Sequence, residues 1–327
     1  MMDRRAFIRV AAGSLLAAPL AAEAQSAGKI YRVGYLGYGY PTEPRDLEVF
    51  RQGLRDLGYV EGKNLLIESR SAESNYERLP ALAAELVSLK LDVIAAVGNT
   101  AIVALTRATQ RIPIVMIIVV DPVGTGLVSS LAHPGGNATG LSNLGEGLSA
   151  KSLELLTQTV PGIKRVGVLM ARNAPGHPTY LREIKAAAQG TGIAVLGVEA
   201  RERDDIARTF VALTKARVQG LIILPHPVTF THQTQIVELA AKNRLPALYP
   251  SREFIESGGL MAYSTSRTEM YRRSAIYVDK ILKGAKPGDL PIEQPTEFEL
   301  VINLKAAKAI GLMIPPSLLQ RADQVIE

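Results

Sequence analysis

Apolar positions along this chain fall into short runs separated by amphipathic stretches, the alternation expected of strands and helices in turn. Residues 31–36 read as a strand. Residues 46–57 place Leu47, Phe50, Leu54 and Leu57 on one helical face, with Gly58 as the stop. Residues 64–68 form a second strand, 76–89 a second helix, and 92–97 a third strand running into Gly98-Asn99-Thr100. A fourth, 114–120, ends in Asp121-Pro122. The glycine- and proline-rich stretch 133–140 breaks the rhythm and reads as a loop between lobes.

The same rhythm then restarts. Strands are expected at 165–170, 194–198, 220–224 and 247–249, with helices at 180–189, 204–215 and 229–242. Residues 258–327 are too few for a third domain. They hold a strand at 259–263, a helix at 268–282 and an extended run at 297–302, which complete the lobes already begun. The expected fold class is α/β: two doubly wound parallel-sheet lobes joined by a three-strand hinge. Residues 30–140 with 259–295 would form the first lobe, and 141–258 with 296–327 the second. Crossings near Gly140, Gly258 and Pro295 would leave a cleft between them.

The first 24 residues do not follow this pattern. Arg4, Arg5 and Arg9 precede an apolar stretch, and Ala22-Glu23-Ala24 offers a small-x-small cleavage site. These are the parts of a secretory signal, and the Arg4-Arg5 pair points to the twin-arginine route. No other apolar run approaches the roughly 20 residues of a membrane span. No cysteine stands at the cleavage site, so a soluble periplasmic product without a lipid anchor is expected.

The chain has no cysteine at all, which excludes thiol catalysis, iron–sulfur clusters and cysteine zinc sites. Its net charge is +6, but the basic residues are dispersed. The densest group, Arg267, Arg272 and Arg273 with Glu269 among them, reads as a solvated helix face, so no nucleic-acid partner is expected. No Gly-x-Ser-x-Gly elbow or Walker loop occurs, and the glycines after the first strand lack the dinucleotide spacing. His133, His177, His226 and His232 form no metal-binding pair and read as surface or loop residues. Neither an enzyme, a cofactor nor a metal is implied.

Ligands of open parallel sheets bind at the carboxyl ends of the strands. Those ends and the crossings supply Tyr38, Asn99, Thr100, Asp121, Asn143, Asn173, His226, Ser251 and Tyr263 as candidate ligand-binding residues. Together they offer rings to stack, amides and hydroxyls to orient, and a charge to pair. Gly98-Asn99-Thr100 runs from a buried strand into a helix, so its N–H groups and hydroxyl suit a carboxylate. Asn99 or Thr100 could equally cap that helix. Asp121 could pair a ligand amino group or cap a following helix, and Tyr38 could stack on a ligand or pack the cleft mouth.

Longer segments carry a family likeness. They include Asp121-Pro122-Val123-Gly124, His133-Pro134-Gly135-Gly136-Asn137, Lys164-Arg165-Val166-Gly167-Val168-Leu169, Leu290-Pro291 and Phe298-Glu299-Leu300-Val301-Ile302-Asn303. In these the chain resembles periplasmic solute-binding proteins of ABC importers, of the tryptophan/tyrosine-binding type with the type I periplasmic-binding fold. The resemblance implies capture of a small carboxylate-bearing solute by lobe closure, then docking on an inner-membrane permease driven by an ATPase. The protein would act as a monomer, and Thr100 matches the family's carboxylate-binding threonine. A sensory domain acting on a membrane receptor is the alternative use of the same architecture.

Overall fold

The computed structural model describes residues 29–39, 43–73, 75–143, 147–172, 174 and 176–327. The expected export segment and Asn173 lie outside the described residues. The first sheet comprises β1 (Tyr31–Gly37), β2 (Leu65–Ser71), β3 (Val93–Val97), β4 (Ile114–Val119) and β5 (Ala138–Ser142). All its pairings are parallel, in the order β2-β1-β3-β4-β5. Between the strands run α1 (Glu43–Asp56), α2 (Leu79–Ser88) and α3 (Asn99–Ala108), with a 3₁₀ turn, Tyr76–Arg78, leading into α2.

Two-residue alternation divides this sheet's apolar side chains between two cores. Val93, Ala95 and Val97 of β3 join Phe50 and Leu54 of α1, while Ile94 and Ala96 join Leu79, Leu86 and Ile102 on the other face. Every residue of β3 is buried, which explains its unbroken apolar run. The loop expected at 133–140 ends at residue 137, because the edge strand β5 takes in its last three residues. Gly140 has φ +136°, and a Cβ there would overlap the Met116 backbone. Its glycine therefore permits a close strand–strand approach.

The second sheet begins after α4 (Leu148–Thr159), with β6 (Arg165–Ala171), α5 (His177–Ala188), β7 (Ala194–Ala200), α6 (Arg203–Lys215) and β8 (Gly220–Ile223). It continues through α7 (Pro227–Thr231), α8 (Gln233–Lys242), β9 (Ala247–Tyr249), α9 (Arg252–Glu256) and β10 (Met261–Ser264). After α10 (Arg267–Leu282) come β11 (Glu299–Asn303), α11 (Leu304–Ala309), α12 (Pro316–Leu319) and β12 (Gln324–Ile326). The order is β12-β11-β10-β9-β8-β6-β7, and only the β10–β11 pairing is antiparallel. The expected helix at 229–242 is divided at His232 into α7 and α8.

Pairing also moves one segment between lobes. Residues 259–264 were expected with the first lobe, but β10 lies between β9 and β11 of the second sheet. The helix that follows it, α10, belongs to the first lobe, where Met270, Tyr271, Ala275, Tyr277, Val278 and Ile281 enter the core. Gly53 of α1 lets the two helices meet: a Cβ there would lie 2.9 Å from that of Ala275. Tyr59 then donates to the buried Asp279 carboxylate at 2.9 Å. The chain thus changes lobes after Asn143, at Thr265–Ser266 and between Glu293 and β11.

Candidate functional site

Both sheets are wound alike. In the first, the chain reverses direction between β1 and β3, and in the second between β6 and β8. Such switch points open a crevice at the carboxyl ends of the strands. Here the two crevices face each other across a cavity of about 80 Å³, several times the 10–15 Å³ that one water needs. Tyr38, Gly98, Asn99 and Thr100 line it from the first lobe, and His177, Pro225, His226 and Phe230 from the second. Asn143, Thr265 and Arg267 line it from the crossings.

The first-lobe wall is a helix start. Gly98, with φ +80°, is the N-cap of α3 and offers no side-chain cap. The first N–H groups of α3 precede any intrahelical acceptor, and Ile102 is the first to bond back, to Gly98 O at 3.3 Å. This argues against the reading of Asn99 or Thr100 as the cap. Thr100 is the second helical residue. Asn99 has a different duty: its Nδ2 donates to Val120 O at 2.7 Å, and its Oδ1 accepts from Val120 N–H at 2.9 Å. That amide braces the end of β4 and has little left for a ligand.

An aromatic group forms the next wall. The Tyr38 and Tyr76 rings lie 4.2 Å apart, and the two hydroxyls are hydrogen-bonded. Burial pushes the Tyr38 phenol up to about 12, so it stays protonated. Tyr76 meets His226 of the second lobe at 2.6 Å. The His226 ring lies 5.5 Å from that of His177. His177 is only 4% exposed, which corrects its reading as a surface residue. Its Nδ1 accepts from Ala171 N–H at 3.0 Å, leaving Nε2–H to donate to Pro225 O at 3.2 Å. Burial holds His177 down to about 4, and burial followed by the charge of His177 holds His226 down to about 3. Both imidazoles are therefore neutral at pH 7.

Arg267 supplies the cavity's cation, and its place in a supposed solvated face is likewise corrected. Its guanidinium bonds Asp46 at 2.6 Å with both side chains nearly buried, and it lies 5.3 Å from the Phe230 ring centre. A buried pair of this kind fixes geometry more surely than it adds stability. Asn143 is 8% exposed, and its Oδ1 has no hydrogen-bond partner among the described residues. Such an acceptor costs stability until a donor reaches it.

The other candidates lie elsewhere. Asp121 does not line this cavity, and no described helix starts directly after it for it to cap. Its Oδ1 accepts from Gly124 N–H at 2.8 Å within a turn, and its Oδ2 accepts from Thr179 of the second lobe at 2.6 Å. Ser251 lines a neighbouring polar cavity with Arg252 and Glu299. Tyr263 stacks on Phe298 and borders a small adjoining cavity that Asn143 and Thr265 also line. Tyr76, His177, Phe230, Thr265 and Arg267 were not among the candidates. Four of them sit in or beside helix starts, and only the facing of the two lobes brings them together. Among the described residues, no group of three or more His, Asp or Glu side chains is placed to hold a metal ion. No described helix is long and apolar enough to cross a membrane.

Comparisons with known proteins agree with this architecture. A tyrosine-binding protein of Clostridioides difficile (strain R20291) is 26% identical over 274 residues, covering 84% of this chain and 78% of that protein. The ABC domain from Streptococcus pneumoniae, solved in complex with L-Trp, superposes with a TM-score of 0.85 at 26% identity, covering 91% of this chain and all of that one. A conserved domain protein from Vibrio cholerae gives 0.86 at 27% identity, with the same coverage. Residues 44–326, nearly all of the described structure, match the family of ABC transporter substrate binding proteins. With two like-wound sheets facing across a cavity, the chain belongs to that family and has the type I periplasmic-binding fold.

Proposed function

We propose that this protein is the periplasmic solute-binding component of an ABC importer, delivering its solute to an inner-membrane permease and ATPase. It binds a small solute carrying a carboxylate and an aromatic or similar apolar part, and the lobes close on it. The observation that carries this reading is the start of α3, whose glycine cap leaves the first N–H groups facing the cavity. An anion is stabilised there by the N–H groups and by the helix dipole. Thr100 adds its hydroxyl, Asn143 Oδ1 accepts from a solute donor, and the Tyr38 ring offers a flat apolar face. The tyrosine-binding relative and the L-Trp complex support the solute class. Closure is a population shift, because a solute touching both lobes favours the shut arrangement. The protein would act as a monomer exported by its N-terminal signal.

A thermal-shift screen of residues 25–327 against L-tryptophan, L-tyrosine, other amino acids and aromatic acids tests the solute class. A bound solute raises Tm by mass action. Stabilisation by sugars or cations alone would overturn the reading. Thr100→Val should weaken the best solute by about 1–3 kcal/mol if its hydroxyl bonds a carboxylate. Unchanged affinity would remove Thr100 from the site.

A further inference from the structure

The tautomer of His226 can be read from its partners. Its Nδ1 accepts from the N–H of Val228 at 3.2 Å, within the cap that starts α7. A backbone N–H can only donate, so Nδ1 is the unprotonated nitrogen and Nε2 carries the hydrogen. Tyr76 Oη lies 2.6 Å from Nε2 and 3.5 Å from Nδ1, so the nearer nitrogen is the protonated one, and in this contact the imidazole is the donor and the phenol the acceptor. Tyr76 precedes α2 in the first lobe, and its ring packs on Tyr38, which lines the cavity. The backbone N–H of Val228, His226, Tyr76 and Tyr38 thus form one chain running from the second lobe to the first. Within the first lobe, Tyr76 belongs to a 3₁₀ turn without a buried residue.

We propose that His226 is a positioning residue. Its Nε2–H, extended across the cleft, fixes Tyr76 and through it the Tyr38 ring, so that the aromatic wall is complete only when the lobes are together. His226 would then contribute to solute affinity without touching the solute, and recognition of a flat ring would be coupled to closure. This rests on the reading of the cavity as a solute site.

Two measurements test it. ¹⁵N NMR of the imidazoles in solute-free protein should show His226 as the Nε2–H tautomer, and Tyr76→Phe should shift its Nε2 resonance. An Nδ1–H tautomer would reverse the chain and overturn the proposal. Calorimetry with L-tyrosine and L-tryptophan as probes should show His226→Leu and Tyr76→Phe each weakening binding about 5–20-fold, and the double variant no further. His226→Gln, whose Nε2–H occupies a similar position, should restore most of the affinity. Additive losses, or a Gln variant as weak as Leu, would place His226 outside this chain. If the wild type binds neither amino acid, the solute reading fails by itself, while the tautomer measurement still decides the clasp.

Discussion

Thr179 and Asp121 meet across the two lobes at 2.6 Å, the threonine hydroxyl donating to the carboxylate. The second carboxylate oxygen is held by Gly124 N–H, so the acceptor is fixed before the lobes meet. Hydrogen bonds to charged groups are among the stronger ones. Thr179→Val should therefore weaken solute binding about 5–10-fold through faster release, with Tm of the solute-free protein little changed. Stopped-flow dissociation would read this directly, and an unchanged off-rate would show that the contact does not hold the closed state.

Beside that contact, Val120 of the first lobe fills the space above Gly176 of the second. A Cβ built on Gly176 would overlap the Val120 side chain. Gly176 has φ −85°, which alanine adopts without strain, so Gly176→Ala should act through the approach of the lobes beside the cavity that both residues line. Small-angle scattering should show a larger radius of gyration in saturating solute, and affinity should fall at least tenfold. Val120→Ala in the same chain should recover part of both. No recovery would mean that the glycine serves another purpose.

Acid should destabilise the fold through its cleft histidines. The folded-state pKa of His177 is about 4 against 6.5 when unfolded, because burial disfavours the imidazolium. The neutral form is the one that folds, so this contribution is complete above pH 6.5. It is lost as pH falls towards 4, by up to about 3 kcal/mol. His226 acts in the same direction. Urea midpoints measured from pH 7.5 to 4.5 should decline, and His177→Gln should flatten the decline. An equal slope in that variant would assign the acid sensitivity to other groups.

Strand runs of Val, Ile and Ala and the amphipathic helices make most of the two-sheet architecture legible in the sequence. Other elements are hidden for definite reasons. Helix α4 buries Ser149, Ser152 and Thr159 beside its leucines, so small polar residues blur its apolar stripe. Strand β5 contains a glycine needed for close approach, and its Ala-Thr-Gly start resembles a loop. Strand β10 is four residues long and takes its lobe from partners on β9 and β11, which no local pattern specifies. The cavity divides the same way. Tyr38, Thr100 and Asn143 can be found because strand ends and crossings are marked in the sequence. Tyr76, Arg267 and His177 become visible only once the lobes face each other.

The exchange of segments between lobes bears on how the protein assembles. Helix α10 covers β3 to β5, yet it is synthesised after β6 to β10, and β11 returns to the second sheet later still. A chain cut at either side of β10 would leave the first half without the Met270–Ile281 face of its core. Neither half is a self-sufficient folding unit, and such long-range closure favours slow, concerted folding. Calorimetry of the solute-free protein should accordingly show one cooperative transition, since the two lobes stand or fall together.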